Sequence, residues 1–408
     1  MKRSFKKITE RKRSREKPLG MAASPEKENK KKFDISIFRA DNQNMKRNFF
    51  ISLIFMLMTS FLACAQDDWL PEISPFPVDK DASENTVRLM HFLSDTYGKK
   101  IISGQMDLTW KDSVDMAEKV YKDTGKYPAL MGYDFMNYTP NASGNGIKQT
   151  EEAIKWWQKG GIVTFCWHWR DPSVSTGWPD FYLEKVKFKI PYDSKKDKLV
   201  EGKELTQINK CLDKVAKQLL KLQDAGVPVL WRPMHEAAGS NGNAWFWWGG
   251  SGADAYKALW KHMFNYFTKE KGLHNLIWVC NAQDKDWYPG DEYVDIVGYD
   301  IYVKNYRSQL DKFNECYYMC DDPENNPKLV ALTENGNIPS PDALQQDLAW
   351  WLYFMTWNDT DASGTNESNF WEGEAHNTAA HKKEVYLSDY VLTLDELPDI
   401  KNYPLPEK

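Results

Sequence analysis

From about Glu84 onward the chain alternates short, mostly apolar runs with longer segments whose apolar residues recur every three or four positions. The short runs are Ile101–Ser103, Ala129–Tyr133, Gly161–Cys166, Val227–Trp231, Asn275–Cys280, Val294–Tyr299, Lys328–Leu332 and Trp351–Met355. Their length and β-branched or aromatic content predict strands. The periodic segments Glu84–Tyr97, Ser113–Thr124, Thr150–Lys159, Leu205–Ala225 and Asp254–Lys271 predict helices. Runs that are apolar at every position, without alternation, belong to parallel strands covered on both faces. Eight strand-helix units close naturally into a (β/α)8 TIM barrel, a single catalytic domain with its site at the strand C-terminal ends. Asp171–Lys203, rich in Lys, Asp and Pro, reads as an insertion after the third strand, and Asp359–Asn377 as a loop after the eighth.

Polar and aromatic residues gather just where the apolar runs stop. Glu236 follows Trp231-Arg232-Pro233-Met234-His235, and Glu334 follows Leu332-Thr333. A carboxylate at the tip of a buried strand costs desolvation free energy, so two of them in register suggest a working pair. Paired carboxyls flanking a bond are the equipment of glycoside hydrolysis, one as acid, the other as nucleophile or base. Gln105, Asp134, His168, Asn281, Tyr299 and Trp357 end other strands and would face the same bowl. Most of the 18 tryptophans belong to the core, because large aromatics dominate burial. Trp245 and Trp357 fall where bowl-lining residues belong, while Trp247 and Trp248 fit a stacking platform and scaffold equally.

The N-terminal region changes the charge picture. Residues 1–44 are strongly basic and without apolar periodicity, and read as an upstream extension. Met45-Lys46-Arg47 then leads into the apolar run Phe49–Leu62, the layout of a signal peptide over 45–65, with 66–408 as the barrel domain. Ala63-Cys64-Ala65 fits signal-peptidase cleavage, and Leu62-Ala63-Cys64 fits a lipobox that would anchor Cys64 to a membrane. Either implies an exported protein, periplasmic, secreted or lipid-anchored. Without residues 1–65 the chain loses 16 of its 53 Lys/Arg and 6 of its 58 Asp/Glu, leaving a formal charge near −15. Nucleic acid is thereby disfavoured as a partner, since phosphate binding needs a positive surface. A neutral polysaccharide is compatible. Five cysteines follow residue 65, none with metal-ligand spacing, and a Cys316–Cys320 disulfide is sterically open. No nucleotide loop, zinc motif or haem signature is present, so no cofactor is implied.

Arg232-Pro233-Met234-His235-Glu236, Trp245-Phe246-Trp247-Trp248-Gly249, Ile102-Ser103-Gly104-Gln105, Trp167-His168-Trp169, Val297-Gly298-Tyr299-Asp300 and Thr333-Glu334-Asn335-Gly336 together resemble glycoside hydrolase family 26. This family consists mostly of bacterial β-mannanases with catalytic glutamates on strands four and seven. The likeness runs from about Asn85 to Trp357, with the motifs in the family's order. It implies Glu236 as general acid/base and Glu334 as nucleophile. His235 would orient the nucleophile, Tyr299 would hold it from the opposite side, and His168 and Trp245 would contact the sugar. Some family members carry Arg after the eighth-strand tryptophan, whereas Asn358 follows Trp357 here, leaving distal contacts and endo versus exo action open. The resemblance implies hydrolysis of β-1,4-mannan, glucomannan or galactomannan by double displacement. Cleavage of β-1,3-xylan or mixed-linkage β-glucan, and a bowl that only binds carbohydrate, are the alternatives.

Overall fold

The computed structural model describes residues 71–112, 115–139, 147–240, 242–360 and 367–407. The basic extension, the signal-like segment and Cys64 lie outside them. Eight parallel strands, β1 (Ile101–Met106), β2 (Leu130–Asp134), β3 (Ile162–Trp167), β4 (Val229–Pro233), β5 (Leu276–Cys280), β6 (Ile296–Ile301), β7 (Leu329–Asn335) and β8 (Tyr353–Thr356), pair in chain order. The ring closes where Ile102–Gln105 of β1 pair with Tyr353–Thr356 of β8. The (β/α)8 expectation holds, and every predicted strand is present within a few residues. Val391 and Leu392 add a short ninth strand outside β1, beyond the barrel proper.

Helices α1 (Glu84–Thr96), α2 (Met116–Thr124), α3 (Gln149–Gln158), α4 (Lys203–Asp224), α5 (Ala253–Asn265), α6 (Leu310–Tyr317), α7 (Pro341–Asp347) and α8 (Ala379–Tyr386) cover the outer wall. The longest, α4, buries Leu205, Ile208, Cys211, Leu212, Val215, Ala216, Leu219 and Leu222, the spacing of a single apolar stripe. Asp115 caps α2 by accepting from the Ala117 and Glu118 amides, and Gly125 ends it in the left-handed conformation. Between β5 and β6 the chain makes only short 3₁₀ turns, Lys285–Trp287 and Asp291–Tyr293. Gln283 lies in the loop directly after β5.

Asp171–Lys203 is the predicted insertion. It holds one two-residue hairpin, Tyr192–Asp193 against Lys198–Leu199, and bridges Tyr182 to Phe246 at the bowl rim. Cys316 and Cys320 are both buried free thiols, so the candidate disulfide is not formed. At the opposite end of the barrel, Asp295 accepts from the Val78 and Trp278 amides, both at 2.7 Å. It pins the Pro-rich N-terminal segment to the barrel floor.

Candidate active site

Two local backbone features aim the glutamates. After β4 ends at Pro233, Met234 and Glu236 take φ of +49° and +52° on either side of His235. Left-handed conformations in non-glycine residues cost on the order of 1–3 kcal/mol each and cluster at functional sites. Here they turn consecutive side chains into the bowl, while the Glu236 amide is held by the Asn281 carbonyl at 2.6 Å. On β7 the register slips against both neighbours. Tyr299 pairs with Leu332 but Asp300 with Glu334, and Phe354 pairs with Leu332 but Thr356 with Asn335. This bulge inserts one extra residue at Thr333 and re-aims Glu334. It needs room: a β-carbon on Gly298 would lie 2.4 Å from Thr333 Cγ2.

The result is a pair of facing carboxyls. Single oxygens of Glu236, Glu334 and Asp300 all lie within 4.8 Å of one another. Their partners differ. Glu334 is buried, receives the Arg232 guanidinium on Oε1, and accepts from Tyr302 Oη on Oε2 at 2.6 Å. Glu236 accepts from Trp245 Nε1 at 2.8 Å and from Gln283 Nε2 at 3.3 Å, with no cation in contact among the described residues. Asp300 is bound within the barrel wall: Arg232 Nη1 at 3.0 Å, Asn281 Nδ2 at 2.6 Å and Thr333 Oγ1 at 2.6 Å.

These surroundings separate the two titrations. Burial, then the Asp300 and Glu334 charges, push the Glu236 carboxyl well above the usual carboxylate range. Burial and Asp300 push Glu334 up to about 7, with the Arg232 charge and the Tyr302 hydroxyl pulling the other way. Two acids this close hold one proton between them before both ionise. That proton belongs on Glu236, and Glu334 ionises first.

Of the predicted residues, His168, His235, Trp245 and Trp357 join the two glutamates. The His168 and His235 rings meet edge to face with centroids 4.5 Å apart, and Trp357 lies against the other side of His168 at 5.9 Å. His235 Nε2 is 3.2 Å from His168 Nε2 and 3.9 Å from Glu334 Oε1, so its hydrogen-bond partner is the other histidine rather than the glutamate. Trp248 donates to the His235 carbonyl at 2.8 Å, and Trp247 to the Trp169 carbonyl. Both rings are fully buried, which makes them scaffold and not platform.

Tyr299 is the correction. It lines a cavity of about 590 Å³ between β6 and α6, with Lys312 Nζ 5.0 Å from its ring. Alternate residues of a strand face opposite sides. Asp300 faces the bowl, so Tyr299 faces the helices, and Tyr302, sharing the parity of Asp300, reaches Glu334. Tyr302, Gln283, Arg232 and Asp300 are site residues to which the sequence reading gave no role. The parity of Asp300 could have flagged the first. Gln283 sits in a loop, at φ +64°, where no periodicity applies.

An eight-stranded parallel barrel carrying two opposed carboxyls at the ends of β4 and β7 defines a glycosidase-type (β/α)8 domain. The chain belongs to glycosyl hydrolase family 26, whose model matches residues 78–396. It is 38% identical over 317 residues to a mannan endo-1,4-β-mannosidase of Thermothelomyces thermophilus, covering 76% of this chain and 60% of that one. The crystal structure of a Podospora anserina GH26-CBM35 β-(1,4)-mannanase superposes with a TM-score of 0.70 at 36% identity, covering 81% of this chain and 70% of that one. A β-mannanase from a symbiotic protist of the termite Reticulitermes speratus, complexed with gluco-manno-oligosaccharide, gives 0.68 at 37%, covering 80% and 98%. The chain spans between 52% and 60% of the length of the first three curated relatives it matches.

Proposed function

We propose that this chain is a retaining glycoside hydrolase that cleaves β-1,4-mannosidic linkages in mannan, glucomannan or galactomannan. One observation carries the mechanism: carboxyl oxygens of Glu236 and Glu334 approach within 4.8 Å. A retaining enzyme needs its carboxyl groups about 5–5.5 Å apart, whereas an inverting one leaves roughly 6.5–9.5 Å for a water. Glu334, ionised beside Arg232 and Tyr302, attacks the anomeric carbon. Glu236, protonated, gives its proton to the departing oxygen. The glycosyl ester then removes the Glu334 charge, the Glu236 carboxyl acidifies, and it draws a proton from the water that cleaves the ester. Trp357 and His168 supply a wall for the sugar ring, and Trp245 both braces Glu236 and faces the cleft. The mannan preference is supported by the relatives' names.

The test is reducing-sugar release from mannan, glucomannan, lichenan and β-1,3-xylan side by side, with proton NMR of the first-formed anomer. Mannan turnover giving the β-anomer first is expected. Silence on mannan sinks the substrate assignment, and an α-anomer first sinks the double displacement. Glu334→Ala is expected to abolish turnover while leaving oligosaccharide binding nearly intact.

A further inference from the structure

Behind the two histidines stands a carboxylate that the glycosidic reaction does not touch. Asp134, at the end of β2, is completely buried. Its Oδ2 lies 2.5 Å from His168 Nδ1, and its Oδ1 accepts from the His168 amide at 3.0 Å and the Met136 amide at 2.8 Å. Burial alone would raise its pKa. The His168 contacts and the two amides reverse that and hold the carboxyl below its ordinary value. An ionised carboxylate only accepts, so His168 Nδ1 must carry a hydrogen.

The next link is His168 Nε2 against His235 Nε2 at 3.2 Å, two ring nitrogens that must share one proton. His235 is neutral: burial and then Arg232 drive its pKa well below the ordinary value. Its other nitrogen, Nδ1, is buried and has no hydrogen-bond partner among the described residues. If His235 carries its proton on Nε2, a lone pair is left unpartnered. If it carries it on Nδ1, a buried N–H is orphaned and His168 must hold hydrogens on both ring nitrogens; orphaned buried donors are the rarer case. The first order also points an N–H dipole into the space between His168 and Glu334 Oε1, 3.9 Å away. The second turns a lone pair toward an anion.

We propose that Asp134 is a positioning residue that fixes the proton order along His168 and His235, so that His235 presents Nε2–H beside Glu334. The proposal rests on the reading of Glu334 as nucleophile. As that carboxylate regains its charge in the second half of the reaction, the fixed N–H dipole stabilises it without rearrangement. Locking an imidazole in one tautomer through a buried carboxylate is general enzyme chemistry, and reversing it costs as much as about 10⁴-fold in kcat in a serine protease.

The test uses the full chain with ¹⁵N-labelled histidine, the two imidazoles being assigned by comparison with His168→Gln and His235→Gln. Wild type is expected to show His168 as the Nδ1–H tautomer and His235 as Nε2–H. Asp134→Asn keeps an oxygen for the two backbone amides and places an N–H donor before His168 Nδ1. It is expected to swap both tautomers and to lower kcat on mannohexaose about 100-fold, with KM changed less than about threefold. Unswapped tautomers, or a loss confined to KM, overturn the proposal. Should Asp134→Asn not fold, the wild-type spectrum decides: His168 protonated on Nε2, with or without a hydrogen on Nδ1, or His235 protonated on Nδ1, refutes it. Glu334→Ala separates the two levels, since hydrolysis surviving in that variant removes the nucleophile reading itself.

Discussion

Tyr302 donates its hydroxyl to Glu334 Oε2 at 2.6 Å while the rest of its ring stays exposed at the rim, packed against Phe370 with centroids 5.2 Å apart. A donor on a carboxylate stabilises the ionised form. In Tyr302→Phe that form loses its partner, the Glu334 pKa rises, and the low-pH limb of kcat/KM moves to higher pH. A hydrogen bond to a charged group contributes about 1.5–3 kcal/mol, so the limb should move by about one to two pH units. A pH profile superimposable on wild type would show that the hydroxyl does not act on the ionised nucleophile.

Trp245→Phe is the matching change at the other glutamate. Trp245 Nε1 lies 2.8 Å from Glu236 Oε2, and an indole N–H can only donate, so it favours ionised Glu236 at every step. Removing it raises the Glu236 pKa. Activity that requires protonated Glu236 then persists further into alkaline solution, and the high-pH limb moves up while the low-pH limb stays. The two variants thus shift opposite limbs in the same direction. Movement of the same limb by both would mean that the acid and nucleophile assignments are not distinct.

Glu236→Ala tests the acid role through the leaving group. Aryl mannosides with acidic phenols depart with little proton assistance, so formation of the glycosyl-enzyme should survive there and fail on mannan. Deglycosylation then limits turnover, because no base remains to activate water. Azide, which needs no base, should restore turnover and yield the β-glycosyl azide. Equal losses on aryl glycosides and polysaccharide, with no azide product, would remove Glu236 from this role.

Much of this architecture is legible in the residues. The strands announce themselves because their runs are largely apolar at successive positions, short, and separated by helix-period segments. Glu236 and Glu334 stand out because a strand-end carboxylate is costly unless used. What was not legible came from geometry that composition does not encode. The bulge at Thr333 depends on a slip against β6 and β8, and nothing in Leu332-Thr333-Glu334 signals an extra residue. The Tyr299 expectation followed motif position, whereas strand parity decides which aromatic enters the bowl. Likewise, Trp247 and Trp248 have the sequence neighbourhood of a sugar platform, yet their N–H groups are committed to the Trp169 and His235 carbonyls.

The bulge itself can be tested at Gly298. This glycine needs no unusual φ, so its role is space: an added β-carbon would sit 2.4 Å from Thr333 Cγ2 and 2.7 Å from Thr333 Oγ1. Thr333 must then move, and with it the hydrogen bonds from Thr333 to Asp300 at 2.6 Å and from Asn281 to Thr333. Overpacking of this kind costs about 1–3 kcal/mol, so Gly298→Ala should lower the thermal midpoint by several degrees. Because Glu334 follows Thr333, kcat should fall more than tenfold even at temperatures where the protein is fully folded. Adding Thr333→Ser removes the methyl group that clashes hardest while keeping the hydroxyl for Asp300, and should recover part of both losses. A Gly298→Ala enzyme with reduced stability but wild-type kcat would show that the bulge tolerates displacement without re-aiming the nucleophile.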